Sequence, residues 1–297
     1  MIAVCVKWVD MRPDIDALHG TVEPAVLGAG FSDADQAAVE VALRLGAARG
    51  GQVLAVCMGP VAADEGLREL SATGVDRVVR IDGDGSEASA AVAEQLAATI
   101  TAELAAGLAA TSTDAAGGSG GDLLVLCGDV SVDRGSGSVP AFLAHELEAA
   151  QALGLIQVET DVASPAGEIE VLRRLDGGRR ERLSVCTPAV LSVEGGVVEL
   201  RRASLAAVLR TADAEVPTMP GAHRRVADHP RLRPWRPRAR VVAPPAGATA
   251  LDRIVSLTGA LVERTPPIAR ELDPEDAADA ILEQLRAWGY VHEPPDS

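Results

Sequence analysis

The chain has 297 residues, 47% of them hydrophobic, and a formal net charge of −16 at pH 7. That length can bury a full core and suits one large α/β domain with a tail or two smaller domains. The acidic balance disfavours a nucleic-acid groove, whose phosphates need clustered cations. Charge or glycine interrupts every apolar run before the ~18 residues of a membrane span, and no cleavage-site pattern follows the first strand, so we expect a cytoplasmic protein without membrane insertion.

Ile2 to Val6 is apolar throughout, as expected of a strand buried on both faces of a parallel sheet. Ser32-Asp33-Ala34-Asp35 has the spacing of a capping box and opens a helix with Val39, Ala42, Leu43 and Ala47 on one side, ending at Gly50-Gly51. A strand over 52–57, a helix over 62–72, a strand over 77–81, a helix over 87–109 and a strand over 123–127 follow. Such alternation predicts an α/β fold with a Rossmann-like, doubly wound, mainly parallel sheet. Residues 111–121 lack apolar periodicity and read as a flexible surface loop.

Past residue 160 the pattern changes. Asp176-Gly177-Gly178 lies between 168–175 and 183–186, a hairpin signal that adds antiparallel strands to the sheet. Residues 217–245 are rich in Pro and Arg and suit an extended arm. Asp273-Pro274-Glu275 starts a last helix that runs to about Trp288. The expected division is therefore an α/β domain over 1–212 and a C-terminal arm with a terminal helix over 213–297.

Cys5, Cys57, Cys127 and Cys186 fall within or at the end of strands and lack the paired spacing of a zinc or redox motif, which predicts buried, reduced thiols. The five histidines are scattered, with neither a zinc-hydrolase nor a nucleophile-elbow pattern. No catalytic or metal-ligating residue is assigned. Two arginine runs, at 173–182 and 224–240, read either as docking surfaces for an acidic partner or as solvated faces.

In an open parallel sheet, ligands sit beyond the carboxyl ends of the strands where strand order reverses. Three segments occupy such ends: Cys5-Val6-Lys7, Cys57-Met58-Gly59-Pro60, and the run from Gly128 to Ser138. The last places Gly135, Ser136, Gly137 and Ser138 just before Pro140, at a helix start, where anions bind to backbone N–H groups. The dinucleotide fingerprint Gly-x-Gly-x-x-Gly is missing from the first βα turn, which argues against an ordinary NAD site.

VLRRLDGGRRERLSVCTPAVLSV, residues 171–193, resembles the signature stretch of the electron transfer flavoprotein beta subunit, with Arg173, Asp176-Gly177-Gly178, Glu181, Leu183 and Pro188 at the pattern's spacing. SDADQAAVEVALRL (32–45), AVCMGPVAADEGLRELSATGVDR (55–77) and RRASLAAVLRTA (201–212) resemble the family's helix start, its second strand and helix, and its partner-recognition loop. The resemblance implies a non-catalytic subunit that pairs with an alpha subunit. The pair would carry FAD at its interface and relay electrons from a donor dehydrogenase to an acceptor oxidoreductase. It also implies AMP as a structural ligand of this chain, or a second FAD in the electron-bifurcating branches. The residues matching the family's pocket are Cys5, Ser32, Asp33, Ala34, Asp35, Met58, Gly128, Asp129, Val130, Asp133, Arg134, Gly135, Ser136, Gly137 and Ser138.

Against the family's pattern, the pocket loop has lost its amide side chains and gained Arg134, whose guanidinium can bind a phosphate bidentately. Met11 and Ala34 stand where members often place aromatics near the flavin. Arg173 and Arg174 fall near the flavin by the same likeness, and Arg174, where members commonly have Glu, would raise the flavin's reduction potential. Leu205 matches the apolar anchor aimed at the dehydrogenase, and residues 251–274 resemble a branch associated with mycofactocin systems. A nucleotide-binding module or scaffold without redox work is the third reading beside the structural-AMP and bifurcating ones.

Overall fold

The computed structural model describes residues 1–23, 28–85, 87–111, 123–160, 168–222, 234–236, 244–259, 269 and 271–290. They fall into two units, Met1–Arg236 and Pro237–Ser297.

In the first unit, β1 (Ile2–Val6), β6 (Val53–Gly59), β7 (Arg77–Asp82) and β8 (Leu124–Gly128) are the parallel strands read from the apolar runs. The connections are α1 (Asp33–Arg49), α2 (Ala63–Thr73) and α3 (Ser89–Thr111). Further along come α4 (Val139–Glu146), β9 (Ala150–Val158), β10 (Glu168–Arg174), β11 (Arg180–Cys186), β12 (Ala189–Val193), α5 (Leu205–Thr211) and β13 (Thr218–Met219). These nine strands make one sheet in the order β11-β10-β9-β12-β8-β1-β6-β7-β13, in which only β10 runs against its neighbours. The Rossmann-like, mainly parallel sheet and its added hairpin are thus present.

β1 shows why those strands are apolar without alternation. Ile2, Val4 and Val6 join the cluster that packs under α1 and α2, while Ala3 and Cys5 join the one under α3 and α4. Both faces are covered, so both sets of side chains leave water.

The hairpin closes where expected. Gly177 and Gly178 take φ of 70° and 74°, a left-handed conformation that L side chains avoid, and Leu175 N donates to Arg179 O at 2.8 Å. The thiols divide: Cys5, Cys57 and Cys127 are buried, but Cys186 is exposed. β11 is an edge strand, and its burial pattern leaves alternate side chains uncovered, which corrects the expectation of four buried thiols.

Between β1 and α1, two small antiparallel pairs were not foreseen: β2 (Trp8–Asp10) with β5 (Ala29–Phe31), and β3 (Asp14–Asp16) with β4 (Thr21–Glu23). Trp8 and Phe31 meet edge to face, 5.4 Å between ring centres, against Gly66 of α2, where any Cβ would stand 2.5 Å from the indole. At the β13 edge, the buried Arg80 guanidinium binds Asp64 (2.7 Å), Asp82 (2.8 Å) and the Gly59 carbonyl (3.1 Å), and Arg80 N donates to Pro217 O at 2.9 Å. That network ties part of the Pro- and Arg-rich stretch to the sheet.

The rest of that stretch, at 223–233 and 237–243, lies outside the described residues, as do 112–121 of the loop expected at 111–121. In the second unit, α6 (Ala250–Thr258) is capped by Thr249 and Asp252 in a reciprocal box, and α7 (Pro274–Ala287) by Asp273. Leu251, Ile254 and Leu257 on α6, and Ile281 on α7, are exposed. No helix among the described residues is long and apolar enough to cross a membrane.

α1 starts as its sequence predicts. Ser32 Oγ accepts from Asp35 N at 3.2 Å, and Asp35 Oδ2 accepts from Ser32 Oγ at 2.8 Å and Ser32 N at 3.3 Å. Burial nonetheless dominates the Asp35 carboxyl and lifts it to about 6, against the hydrogen bonds from Ser32 and Lys7. A carboxyl raised in the folded state holds its proton more tightly there than in the unfolded chain, so ionising it costs stability. The folded state is most favoured below the unfolded value of 3.8 and loses about 3 kcal/mol as pH climbs to about 6 and beyond. Asp35→Asn removes that titration. Thermal unfolding of both proteins between pH 4.5 and 7.5 is expected to show wild type falling behind the variant as pH rises, and parallel curves would refute the assignment.

Candidate functional site

The chain passes from β1 to β6 and β7 on one side and then returns to place β8 on the other, so strand order reverses at β1. A crevice of about 790 Å³, its open mouth included, lies at the carboxyl ends of β1, β6 and β8.

The floor is apolar and belongs to the core. Cys5, Met58, Leu96 and Cys127 line the crevice and are each at least nine-tenths buried, with Val92 and Val139 beside them. The Cys127 thiol, buried and hydrogen-bonded to the free Cys5 thiol on the neighbouring strand, is held well above the ordinary thiol range, so it stays protonated. Burial lifts Cys57 in the same sense, to about 12. Neither behaves as a nucleophile.

The rim is polar and comes from the loop between β8 and α4. Asp129, Val130, Ser131, Arg134, Ser136, Gly137 and Ser138 line it, and Gly128 opens it. Gly137 has φ of +57°, and a Cβ there would stand 2.8 Å from Asp129 O, so the loop's fold requires glycine. At Gly128 a Cβ would lie 3.0 Å from Asp35 Oδ1 and 3.1 Å from Ala34 Cβ; the small residue lets the start of α1 come against the crevice wall.

Arg134 spans the mouth. Its guanidinium donates to Glu87 O at 2.5 Å and to Gly85 O at 2.8 Å, which fastens the β8–α4 loop to the β7–α3 loop and leaves further N–H donors on the same group. Lys7, the only lysine, lines the crevice and pairs with Asp133, Nζ to Oδ2 2.6 Å. Burial works to raise the Asp133 carboxyl, but hydrogen bonds from Lys7 and Ser131 outweigh it and hold it below its ordinary value. Burial raises the carboxyl of Asp129, helped by nearby Glu194.

Of the residues expected at the pocket, Cys5, Asp35, Met58, Gly128, Asp129, Val130, Arg134, Ser136, Gly137 and Ser138 line the crevice. Ser32 caps α1, Asp33 and Ala34 form its first turn, Asp133 engages Lys7, and Gly135 supplies a turn with φ of +65°. Residues not foreseen include Gly85 and Glu87 from the β7–α3 loop and Ser89, Val92 and Leu96 from α3. Glu87 is only 2% exposed, a burial that no local sequence signal announces.

Elsewhere, Arg173 pairs across the hairpin with Glu181 at 2.5 Å, and Arg174 pairs with Glu194. Leu205, 74% exposed, begins α5 just after its cap Ser204, and Leu209 on the same helix is exposed as well. Arg201 reaches back to the buried carboxylate of Glu40 on α1, with contacts of 2.9 and 3.1 Å, and so fixes the segment leading into α5. Among the described residues no group of three His, Cys, Asp or Glu could hold a metal ion.

The family model described as the electron transfer flavoprotein domain matches residues 21–223. Protein FixA of Azorhizobium caulinodans is 28% identical over 228 residues, covering 72% of this chain and 73% of that protein. The electron transfer flavoprotein subunit beta of Methylophilus methylotrophus is 28% identical over 162 residues, covering 54% of each chain. The matched span contains the crevice loop, the hairpin and α5, and the chain belongs to the electron transfer flavoprotein family, with its relatives on the beta-subunit side.

Proposed function

We propose that this chain is the beta subunit of a heterodimeric electron transfer flavoprotein, an electron carrier without a catalytic site of its own, and that it binds AMP in the crevice as a structural ligand. The observation that carries the proposal is the crevice itself, at the switch point of the sheet, with an apolar floor and a glycine- and serine-rich rim leading into α4. A carrier needs no acid, base or nucleophile, and two groups in the crevice fit that: the Cys127 thiol is protonated and the lysine is paired.

The residues fit a nucleotide at both ends. Ser136 and Ser138 stand before the first turn of α4, whose leading N–H groups lack intrahelical partners and favour an anion. Lys7 and the remaining N–H groups of Arg134 add positive charge at the rim. Met58, Val92, Leu96 and Cys127 offer the apolar surface that a purine requires.

Flavin held by an alpha subunit would supply the electron carriage; this chain would contribute binding surface and orientation. Arg174, already paired with Glu194, would present a largely neutralised charge to that interface, which weakens its expected effect on the flavin's potential. The exposed Leu205 and Leu209 of α5 suit contact with a donor dehydrogenase, while the exposed apolar residues of α6 and α7 suit the alpha subunit.

Acid release of ligands from the co-purified heterodimer, followed by mass spectrometry, is expected to give one FAD and one AMP per pair. Two FAD would assign the crevice to the bifurcating type, and no nucleotide beyond a single FAD would refute the AMP assignment. Gly137→Ala, which forces a side chain into a left-handed position 2.8 Å from a carbonyl oxygen, is expected to cut AMP content about tenfold or more while leaving FAD in place. Leu205→Glu is expected to raise KM for the donor dehydrogenase about tenfold with bound nucleotides unchanged; an unaltered KM would remove α5 from that contact.

A further inference from the structure

Among the described residues, Glu87 is the one buried polar side chain of the crevice left with an unmet hydrogen-bonding atom. It is 2% exposed and lines the cavity. Its Oε1 accepts the Asp84 backbone N–H at 3.0 Å, while Oε2 is buried and has no hydrogen-bond partner among the described residues. Arg134 passes close by but donates to the Glu87 backbone carbonyl, and no cation among the described residues forms an ion pair with the carboxylate. A buried carboxylate oxygen without a donor costs free energy, so its retention at a cavity wall points to a donor supplied from the cavity.

The position narrows what that donor is. A Cβ built on Gly83 would stand 2.9 Å from Glu87 Oε1 and 3.1 Å from Met58 Cγ, so the carboxylate lies beside the Met58 side chain at the apolar floor. The phosphate-compatible groups, by contrast, are on the rim at Lys7, Arg134 and the start of α4. A carboxylate accepts hydrogen bonds and repels phosphate, so it suits the base end of a nucleotide.

We infer that Glu87 is the base-reading residue of this crevice, its Oε2 accepting a hydrogen bond from the exocyclic 6-amino group of a bound adenine. The inference rests on the nucleotide assignment made above and goes beyond it by naming the group that separates adenine from a 6-oxo purine. With hypoxanthine or guanine, an oxygen acceptor would face the carboxylate and both would lack a donor, so these bases are rejected.

Glu87→Gln makes the sharpest variant. Its amide oxygen keeps the Asp84 N–H, which leaves the amide NH₂ where Oε2 was and turns an acceptor toward the base into a donor. AMP and inosine monophosphate are titrated calorimetrically into the full chain freed of nucleotide. Wild type is expected to bind AMP about tenfold or more tightly than the inosine nucleotide, and Glu87→Gln to reverse that order. A reversal of preference is not produced by a variant that merely folds poorly. Glu87→Met is expected to bind both nucleotides alike.

Equal affinity of wild type for AMP and the inosine nucleotide, or an unchanged order in Glu87→Gln, would overturn the inference and leave the nucleotide crevice standing. A loss confined to 2′-deoxy- or 3′-deoxy-AMP would overturn it in favour of a ribose contact. Failure of wild type to bind any of these nucleotides would overturn the crevice assignment and this inference together.

Discussion

The structure depends on β1 being hydrogen-bonded along both edges by strands that run its own way. Cys5 lies opposite Val56 of β6 on one side and opposite Cys127 of β8 on the other. Parallel neighbours on both sides mean that the connections leaving β1, β6 and β8 all start at the same rim of the sheet and diverge from it. A gap beneath them is unavoidable, and it can be lined only by strand ends and loop backbone. Two glycines let the start of α1 come close: Gly128, the last residue of β8, and Gly195, after β12, both meet the first turn of α1, where a Cβ on either would lie 3.1 Å from an atom of Ala34. The helix start, its capping box and the crevice wall are thus one packed object.

Charge in this object is arranged pairwise. Lys7 is committed to Asp133, Arg134 to two carbonyls, and Asp35 to Ser32. Each pairing holds a loop that a ligand would touch, so the same contacts that position the rim also limit the free charge offered at it. A site of this kind selects by shape and by a few unmatched donors and acceptors more than by net attraction.

Much of this was legible in the chain. The apolar runs read at 2–6, 52–57 and 123–127 became central strands, the Ser32–Asp35 spacing marked a helix start, and Asp176-Gly177-Gly178 marked a turn. The strand ends bordering the crevice followed from those placements. What stayed hidden was set by tertiary contact. Residues 150–158 follow Pro140 in an apolar stretch that suits a helix equally well; α4 instead ends at Glu146, and Glu148, at φ 50°, turns the chain into β9. Trp8 and Phe31 sit 23 residues apart with no shared pattern and meet only because Gly66 leaves room for them. Glu87 reads locally as a polar residue before a helix. Its burial arises when the β7–α3 loop is drawn over the sheet by Arg134, a partner 47 residues away.

A sheet of nine strands with so apolar a centre must also avoid templating its own stacking, and its two rims do so differently. At one rim, β13 is only two residues long, and it is held by the Arg80 network, so little unpaired backbone is offered. At the other, β11 carries outward Arg180 and Arg182, whose like charges would face each other in any attempt at edge-to-edge addition. The arginines that first suggested a docking surface thereby acquire a second use, as a guard against fibrillar growth in a protein whose central strands are otherwise suited to it.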